Sequence, residues 1–450
     1  MRSAILSLLA SVSLGVLAAP AQADTLQDAL SLAFQTNPTI RAERAQLRAT
    51  RETRSQAISA ALPQISAKGS YSKVDSKQLA NFGGGVTPLN RKFSPLTANL
   101  EAEQRIFTGM RNFNSIKQAG ARIRAGGAQL ASVEQQVLRD VAGVYFDVQL
   151  NIAIYELNKA NVTVLLRQQE MAKARFDVGE ITLTDVAQAD ARLAAARADM
   201  SNAQGTLAIS RAAYARLVGQ LPGDLEPVDG LPELPETFED AQVIAAEFAP
   251  PLIMAREQRE ISRRQVKIAK GALLPTVSLT ASYQYADQPS SFINRDEQFA
   301  YGARASIPLF LGGDNYSRIR EAKALHASDR SRVDEAERQV TESVTAAWQQ
   351  LIVARAVIKS AEAASRANKL ALRGVRQEAL LGTRTTLDTL NAEQELLNSE
   401  VTLARAQRDA QTAAYALLAA IGLLTPEAVG IAELSVDIET GDALLESLRR

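Results

Sequence analysis

Few residues of this chain stand in a spacing that could do chemistry, and those that do occur twice. Gly179-Glu180-Ile181-Thr182-Leu183-Thr184-Asp185 and Gly382-Thr383-Arg384-Thr385-Thr386-Leu387-Asp388 lie 203 residues apart. In each, a threonine stands three residues before an aspartate. That is the pattern of a helix start, in which hydroxyl and carboxylate satisfy free backbone N–H groups. The preceding glycine suits the left-handed turn that ends a helix. Asp185 and Asp388 therefore read first as carboxylates at helix N-termini, where the helix dipole favours them. Arg384 has no counterpart, because Ile181 holds its place in the first copy.

Nothing else assembles into a reactive set. His326 is the single histidine and lies in a helix-period stretch, which suits a surface or groove residue better than a base. No Ser/His/Asp combination, glycine-rich phosphate loop or metal-ligand spacing is present, so the chain reads as a non-enzyme without cofactor or metal. Cysteine is absent, which excludes a disulfide framework, a thiolate metal site and a lipid-modified N-terminal cysteine. Lys+Arg and Asp+Glu both number 50, so no basic excess points to nucleic acid.

The paired turns belong to a longer repeat. Phe107-Thr108-Gly109 and Phe310-Leu311-Gly312, Tyr145 and Trp348, and Gly219 and Gly422 all keep the 203-residue offset without a gap. A duplication of this size implies two similar supersecondary blocks. Proline is excluded from Pro95 to Pro222 and from Pro308 to Pro426, as helix interiors require. Within those stretches Leu130, Val133, Val137, Val141, Val144, Val148, Ile152 and Tyr155 recur in steps of three and four. Val333, Ala336, Val340, Val344, Ala347, Leu351, Ala354 and Ile358 do the same in the second copy, giving the seam of a packed coil. Tyr145 and Trp348 read as core packing. Each block is a helical hairpin with its tip near 179–185 or 382–388. The first arm, Arg111–Val178, spans roughly 100 Å at 1.5 Å per residue. The second arm is shorter, and Leu26–Ala60 and Leu252–Ala272 are the candidates to complete it.

Before each long helix the period changes to two. Val277, Leu279, Ala281, Tyr283 and Tyr285 alternate with polar residues, as do Phe299, Tyr301, Ala303, Ala305 and Ile307. In the first copy Leu96, Ala98, Leu100 and Ala102 alternate with Thr97, Asn99, Glu101 and Glu103. Strand pairs are expected over 64–106 and 276–308, with loops at Asp75–Lys92 and Asp287–Glu297. Six prolines between Pro222 and Pro251 read as an irregular connector. Arg2, the apolar run Ala4–Leu17 and Ala21-Gln22-Ala23 read as a signal peptide cleaved after residue 23. The expected units are 1–23, 24–221, 222–250, 251–422 and a tail at 423–450.

Strands of this length cross a tilted bilayer, and the polar alternate face with Glu101, Glu103 and Arg105 suits a water-filled lumen. Tyr71, Phe93, Tyr283, Tyr285, Phe299 and Tyr301 could form interfacial girdles. Four strands cannot close a barrel and open edges cannot face lipid, so several chains must share one. Strand count alone leaves dimer, trimer and tetramer open. A soluble sheet, a periplasmic coiled-coil adaptor or structural protein, and an enzyme on a helical scaffold are the competing readings.

The order of helix, strands, Phe-x-Gly, long helix, tip and repeat resembles the TolC family of outer membrane channel proteins. Gly382-Thr383-Arg384-Thr385-Thr386-Leu387-Asp388-Thr389-Leu390-Asn391-Ala392 and Ile307-Pro308-Leu309-Phe310-Leu311-Gly312-Gly313 carry the likeness most closely. The resemblance implies a homotrimer with a 12-stranded barrel in outer membrane lipid and an α-helical tunnel through the periplasm. It implies an exit duct for efflux or type I secretion, with a periplasmic adaptor and an inner membrane ABC exporter or proton-driven transporter as partners. The adaptor would dock at the tips, around Gly179, Glu180, Ile181, Gly382 and Thr383. The missing cysteine fits the non-lipidated branch. The resemblance also places Asp388 in an acidic ring at the pore constriction, with Asn391 where a second ring aspartate is usual. It gives Arg384 bonds to Thr184 and Asp185 that lock the gate, and puts Ala379 where a latching tyrosine is usual.

Overall fold

The computed structural model describes residues 25–82, 84–228 and 230–431. The signal peptide, Gly83 and the end of the expected tail lie outside the described residues. Each repeat opens with a short helix and a second helix at its end: α1 (Leu26–Thr36) and α2 (Pro38–Ser59), then α5 (Phe238–Phe248) and α6 (Pro250–Gly271). Thr25 and Thr237 cap these pairs through Asp28 and Asp240. The break between partners is set by proline. Pro38 and Pro250 force Asn37 and Ala249 into extended backbone, ψ 125° and 116°, so a new helix starts there. The region expected as an irregular connector therefore holds α5. Its sequence offers a Thr-x-x-Asp start and buries Ala241 and Ala245.

The long hairpins form as expected: α3 (Arg111–Asp177) with α4 (Leu183–Val218), and α7 (Asp314–Leu380) with α8 (Thr386–Ala420). The first arms have 67 residues each, about 100 Å of helix. The α1–α2 corner receives the end of α4. The Asn37 side-chain amide donates to the Leu217 carbonyl at 3.1 Å, satisfying one of the free acceptors at a helix C-terminus. Here all eight described helices contribute to the main core, α2 through Ile40 and α6 through Leu252. Tyr145 and Tyr214 are fully buried in it, with Leu138, Val141, Leu417, Ile421 and Leu424. The Tyr145 hydroxyl donates to the Glu226 carbonyl at 2.7 Å, and Trp348 packs on Phe238 with centroids 6.0 Å apart. Both repeat-equivalent aromatics serve packing.

Between second helix and hairpin lie the strands: β1 (Gln64–Tyr71), β2 (Val74–Phe82), β3 (Gly85–Phe93) and β4 (Leu96–Phe107) in the first repeat, β5 (Thr276–Ser290) and β6 (Ile293–Ser306) in the second. One antiparallel sheet has the order β1-β4-β5-β6, and β2-β3 forms a separate ribbon. Both expected loops are thus mostly strand. Asp75–Lys92 is the ribbon, with Asp75 opposite Lys92 and an ion pair between them at 3.4 Å. A two-stranded ribbon exposed on both faces needs no apolar alternation, so the period-two signal does not reveal it. At 287–297 the strands continue to a turn at 291–292, after a register shift beyond Asp287.

The two repeats meet at one close backbone approach. A Cβ on Gly109, whose φ is +63°, would lie 2.2 Å from the Gly271 carbonyl oxygen; one on Gly271 would lie 2.3 Å from that of Gly109. Gly271→Ala must push the start of α3 away from α6, an overpacking cost of about 1–3 kcal/mol or more. Gly179, with φ +76° and open space around it, gives the contrast: Gly179→Ala carries only local backbone strain, of order 1 kcal/mol. The thermal unfolding midpoint should therefore fall clearly for Gly271→Ala and little for Gly179→Ala. Equal shifts would contradict the packing argument.

Candidate functional site

The register of the four-stranded sheet sorts its side chains by chemistry. Residues directly opposite share a face. Ala67, Leu100, Tyr283 and Phe299 form one row, and Ile65, Ala102, Ala281 and Tyr301 the next. On the other face the rows are Ser66, Glu101, Ser282 and Ala300, then Gln64, Glu103, Thr280 and Gly302. The apolar face is open: Ile65 is 71% exposed, Phe299 66% and Tyr301 83%. Among the described residues β1 and β6 pair on one side only. No described helix is long and apolar enough to cross a membrane.

The other candidate region is the pair of tips. At the first, Gly179 turns the chain at φ +76°, and Glu180 pairs with Arg175 at 2.9 Å. Ile181 packs beside Ala172, Val186 and Ala189. Thr182 and Asp185 form a complete capping box: the Asp185 carboxylate accepts from the Thr182 amide at 3.1 Å and hydroxyl at 2.8 Å. At the second, Gly382 turns at φ +77° and the Thr383 amide donates to the Glu378 carbonyl at 3.0 Å. Asp388 accepts from the Thr385 amide at 2.9 Å and hydroxyl at 2.8 Å. The Thr182 hydroxyl and amide hold the Asp185 carboxyl below the usual carboxylate range; the Thr385 amide and hydroxyl do the same for Asp388. Arg384 donates to Glu378 of its own hairpin at 2.8 Å. Among the described residues no hydrogen bond or ion pair joins it to Thr184 or Asp185. Among them, too, no His, Cys, Asp or Glu group could hold a metal ion.

One polar contact between hairpins had no signal in the sequence. Arg192 of α4 donates to Asn391 of α8 at 3.0 Å. Beside it Leu390, 2% exposed, enters a hole formed by Leu165, Leu193 and Ala196. Repeat arithmetic points elsewhere, since Arg192 corresponds to Glu395 and Asn391 to Gln188. The hairpins are staggered, and stagger leaves no periodic trace. The one visible hint is that Leu390 replaces the Ala187 of the first copy.

The capping boxes set a pH dependence. Both aspartates have folded pKa values below the unfolded value near 3.8, so their stabilisation is present above that value. It is lost as pH falls from about 3.8 through the depressed folded pKa. Amide exchange at the first turns of α4 and α8 should accelerate in that range, and Thr182→Ala and Thr385→Ala should reproduce the effect at neutral pH. Unchanged exchange in both would show that other contacts hold these turns.

The comparisons with known proteins agree with this geometry. The sequence profile of the outer membrane efflux protein family matches residues 29–220 and 244–423. The outer membrane efflux protein BepC of Brucella suis is 33% identical over 91% of this chain and 88% of its own length. The outer membrane protein TolC of Vibrio cholerae is 26% identical over 94% of this chain and 97% of its own. The crystal structure of the Vibrio cholerae outer membrane protein VceC superposes with a TM-score of 0.75 at 22% identity, covering 88% of this chain and 96% of that one. The profile and the relatives each span both repeats, and this chain belongs to the outer membrane efflux protein family, the TolC family.

Proposed function

We propose that this chain is a subunit of the outer membrane exit duct of a tripartite efflux or type I secretion system, passively conducting small molecules or unfolded proteins across periplasm and outer membrane. The observation that carries the reading is the sheet: four antiparallel strands with an exposed apolar face and, among the described residues, two unpaired edges, joined to helical hairpins about 100 Å long. Lipid cannot satisfy an open edge, and the smallest membrane barrels have about eight strands. Three copies give a closed 12-stranded barrel whose apolar face meets outer membrane lipid, with the hairpins forming the periplasmic wall.

The helices support a homo-oligomer independently. In α3, Asn114, Gln118, Ala121 and Ala128 are buried, and the Gln118 amide donates to the Ile261 carbonyl of α6 at 3.1 Å. Their counterparts in α7, Ser317, Glu321, Ala324 and Ser331, are exposed. The helix that corresponds to α6 is α2, so α2 of the next copy covers this face of α7. No catalytic step is assigned, and the energy comes from an inner membrane ABC exporter or proton-driven transporter. A periplasmic adaptor joins the two at the tips. There Gly179, Glu180, Ile181, Gly382 and Thr383 lie among exposed apolar residues: Val178 71%, Leu183 66%, Leu380 82% and Leu381 80% exposed. Asp388 rings the constriction, and Arg384, exchanging Glu378 of its own hairpin for Thr184 and Asp185 of the neighbouring coil, adds a minor polar tie to the closed entrance.

Assembly is tested on the mature protein. It should require detergent for extraction and run as an oligomer that heating dissociates. Gln265 touches Gln118 within the chain; with α2 and α6 aligned from Pro38 and Pro250, the counterpart of Gln265 is Thr53, and that of Gln118 is Glu321. With no native cysteine, Thr53→Cys plus Glu321→Cys should cross-link between chains and give species up to a trimer. A monodisperse monomer without detergent would sink the duct reading.

Gating is tested in planar bilayers. Arg384→Ser should raise single-channel conductance only partly, because a single exposed ion pair contributes little. Asp388→Ala should weaken block by multivalent cations, which an acidic ring would bind. If neither changes, the two residues serve only the local structure of the tips.

A further inference from the structure

We infer that Leu390, Asn391 and Arg192 form a clasp that holds the two hairpins of one chain together above the tips, and that releasing it opens the periplasmic entrance. The inference rests on the duct reading and assigns most of this chain's closure to residues away from the Arg384 turn.

Three observations carry it. First, each hairpin is tied within itself at this level. Asp190 of α4 accepts from Gln169 of α3 at 2.5 Å and lies 3.6 Å from Lys173. Glu393 of α8, buried, accepts from Arg376 of α7 at 3.0 Å. Each hairpin therefore moves as a unit. Second, the polar link between the units is small. Above it, toward the main core, Arg408 of α8 pairs with Asp147 of α3 at 3.2 Å. From there to the tips, Arg192–Asn391 at 3.0 Å is the one polar bond between hairpins among the described residues. Leu390 beside it is a single knob in the Leu165, Leu193 and Ala196 hole. Third, the clasp is not doubled by the repeat. The counterparts of Leu390, Asn391 and Leu165 are Ala187, Gln188 and Asn368, which cannot form the same contact. Arg384, by contrast, is paired inside its own hairpin.

The apolar knob supplies most of the holding, since the polar bond is exposed, and the bond fixes the register. Swinging the second hairpin away would expose Leu390 and free Asn391 for water. In this role Asn391 is occupied by Arg192. An aspartate there would pair with Arg192 and tighten the clasp.

The test uses the full mature protein in planar bilayers, with oligomeric state checked for every variant. Leu390→Ala should raise single-channel conductance several-fold, more than Arg384→Ser, and Leu390→Met should restore the closed level. Asn391→Asp should lower conductance and leave block by trivalent cations unchanged. Arg192→Cys with Asn391→Cys, treated with a short bifunctional maleimide, should cross-link within one chain and hold the channel closed. Wild-type conductance in assembled Leu390→Ala, stronger cation block in Asn391→Asp, or a cross-link only between chains would each overturn the clasp. Failure of the wild-type oligomer to conduct at all would count against the duct itself, whereas failure of the cross-link in conducting protein would count against the clasp alone.

Discussion

A backbone amide or carbonyl in hydrocarbon has no partner except another backbone group, and most of this structure follows from that constraint. Among the described residues the chain builds a four-stranded sheet with one apolar face, and β1 and β6 each pair on one side only. In the proposed duct, other copies complete the sheet. The same completion then covers the face of α7 that α6 covers on α3. Sheet edge and helix face are unfinished on the same side of the repeat, so one association satisfies both. A soluble sheet of this size would hide its apolar face against its own helices. Here that face stays open while the helices pack on one another.

The repeat explains how two blocks fit without being identical. Their entry corners are alike, with threonine caps and a proline that starts the second helix. Where the first block meets the second, contact is close enough to require two glycines, Gly109 and Gly271. The corresponding positions of the outer interface are Gly312 and Ser59, and Gly312 has open space around it in the single chain. The strand regions differ most. The first repeat inserts the β2–β3 ribbon, held against the second hairpin of strands where Arg91 stacks on Phe292 at 4.3 Å.

At the other end of the molecule the constraint is weaker. The tips are short turns with complete local hydrogen bonding, and their charged groups pair within their own hairpins. Local satisfaction leaves few polar ties between hairpins among the described residues, which suits the proposed closing and opening of this region. The buried Leu390 contributes more to closure than exposed ion pairs, whose Coulomb gain in water is small and screened by salt.

The sequence by itself determined what depends on neighbours along the chain. Proline exclusion and the three–four spacing marked both 67-residue helices, alternation marked β4, β5 and β6, and Thr-x-x-Asp marked the starts of α4 and α8. These are local rules, set by backbone geometry and capping, and the duplication repeated each signal. The tertiary structure decided what depends on lateral packing. It turned Asp75–Lys92 into a ribbon, because strands exposed on both faces carry no pattern. It placed α5 in a proline-rich stretch, because two buried alanines and a cap suffice for a helix packed on α7. It brought Arg192 to Asn391, 199 residues on rather than 203. Periodicity reports which face of a helix is apolar, but the stagger between two hairpins is chosen by how knobs such as Leu390 fit holes in the other, and that fit exists only once the chain has folded.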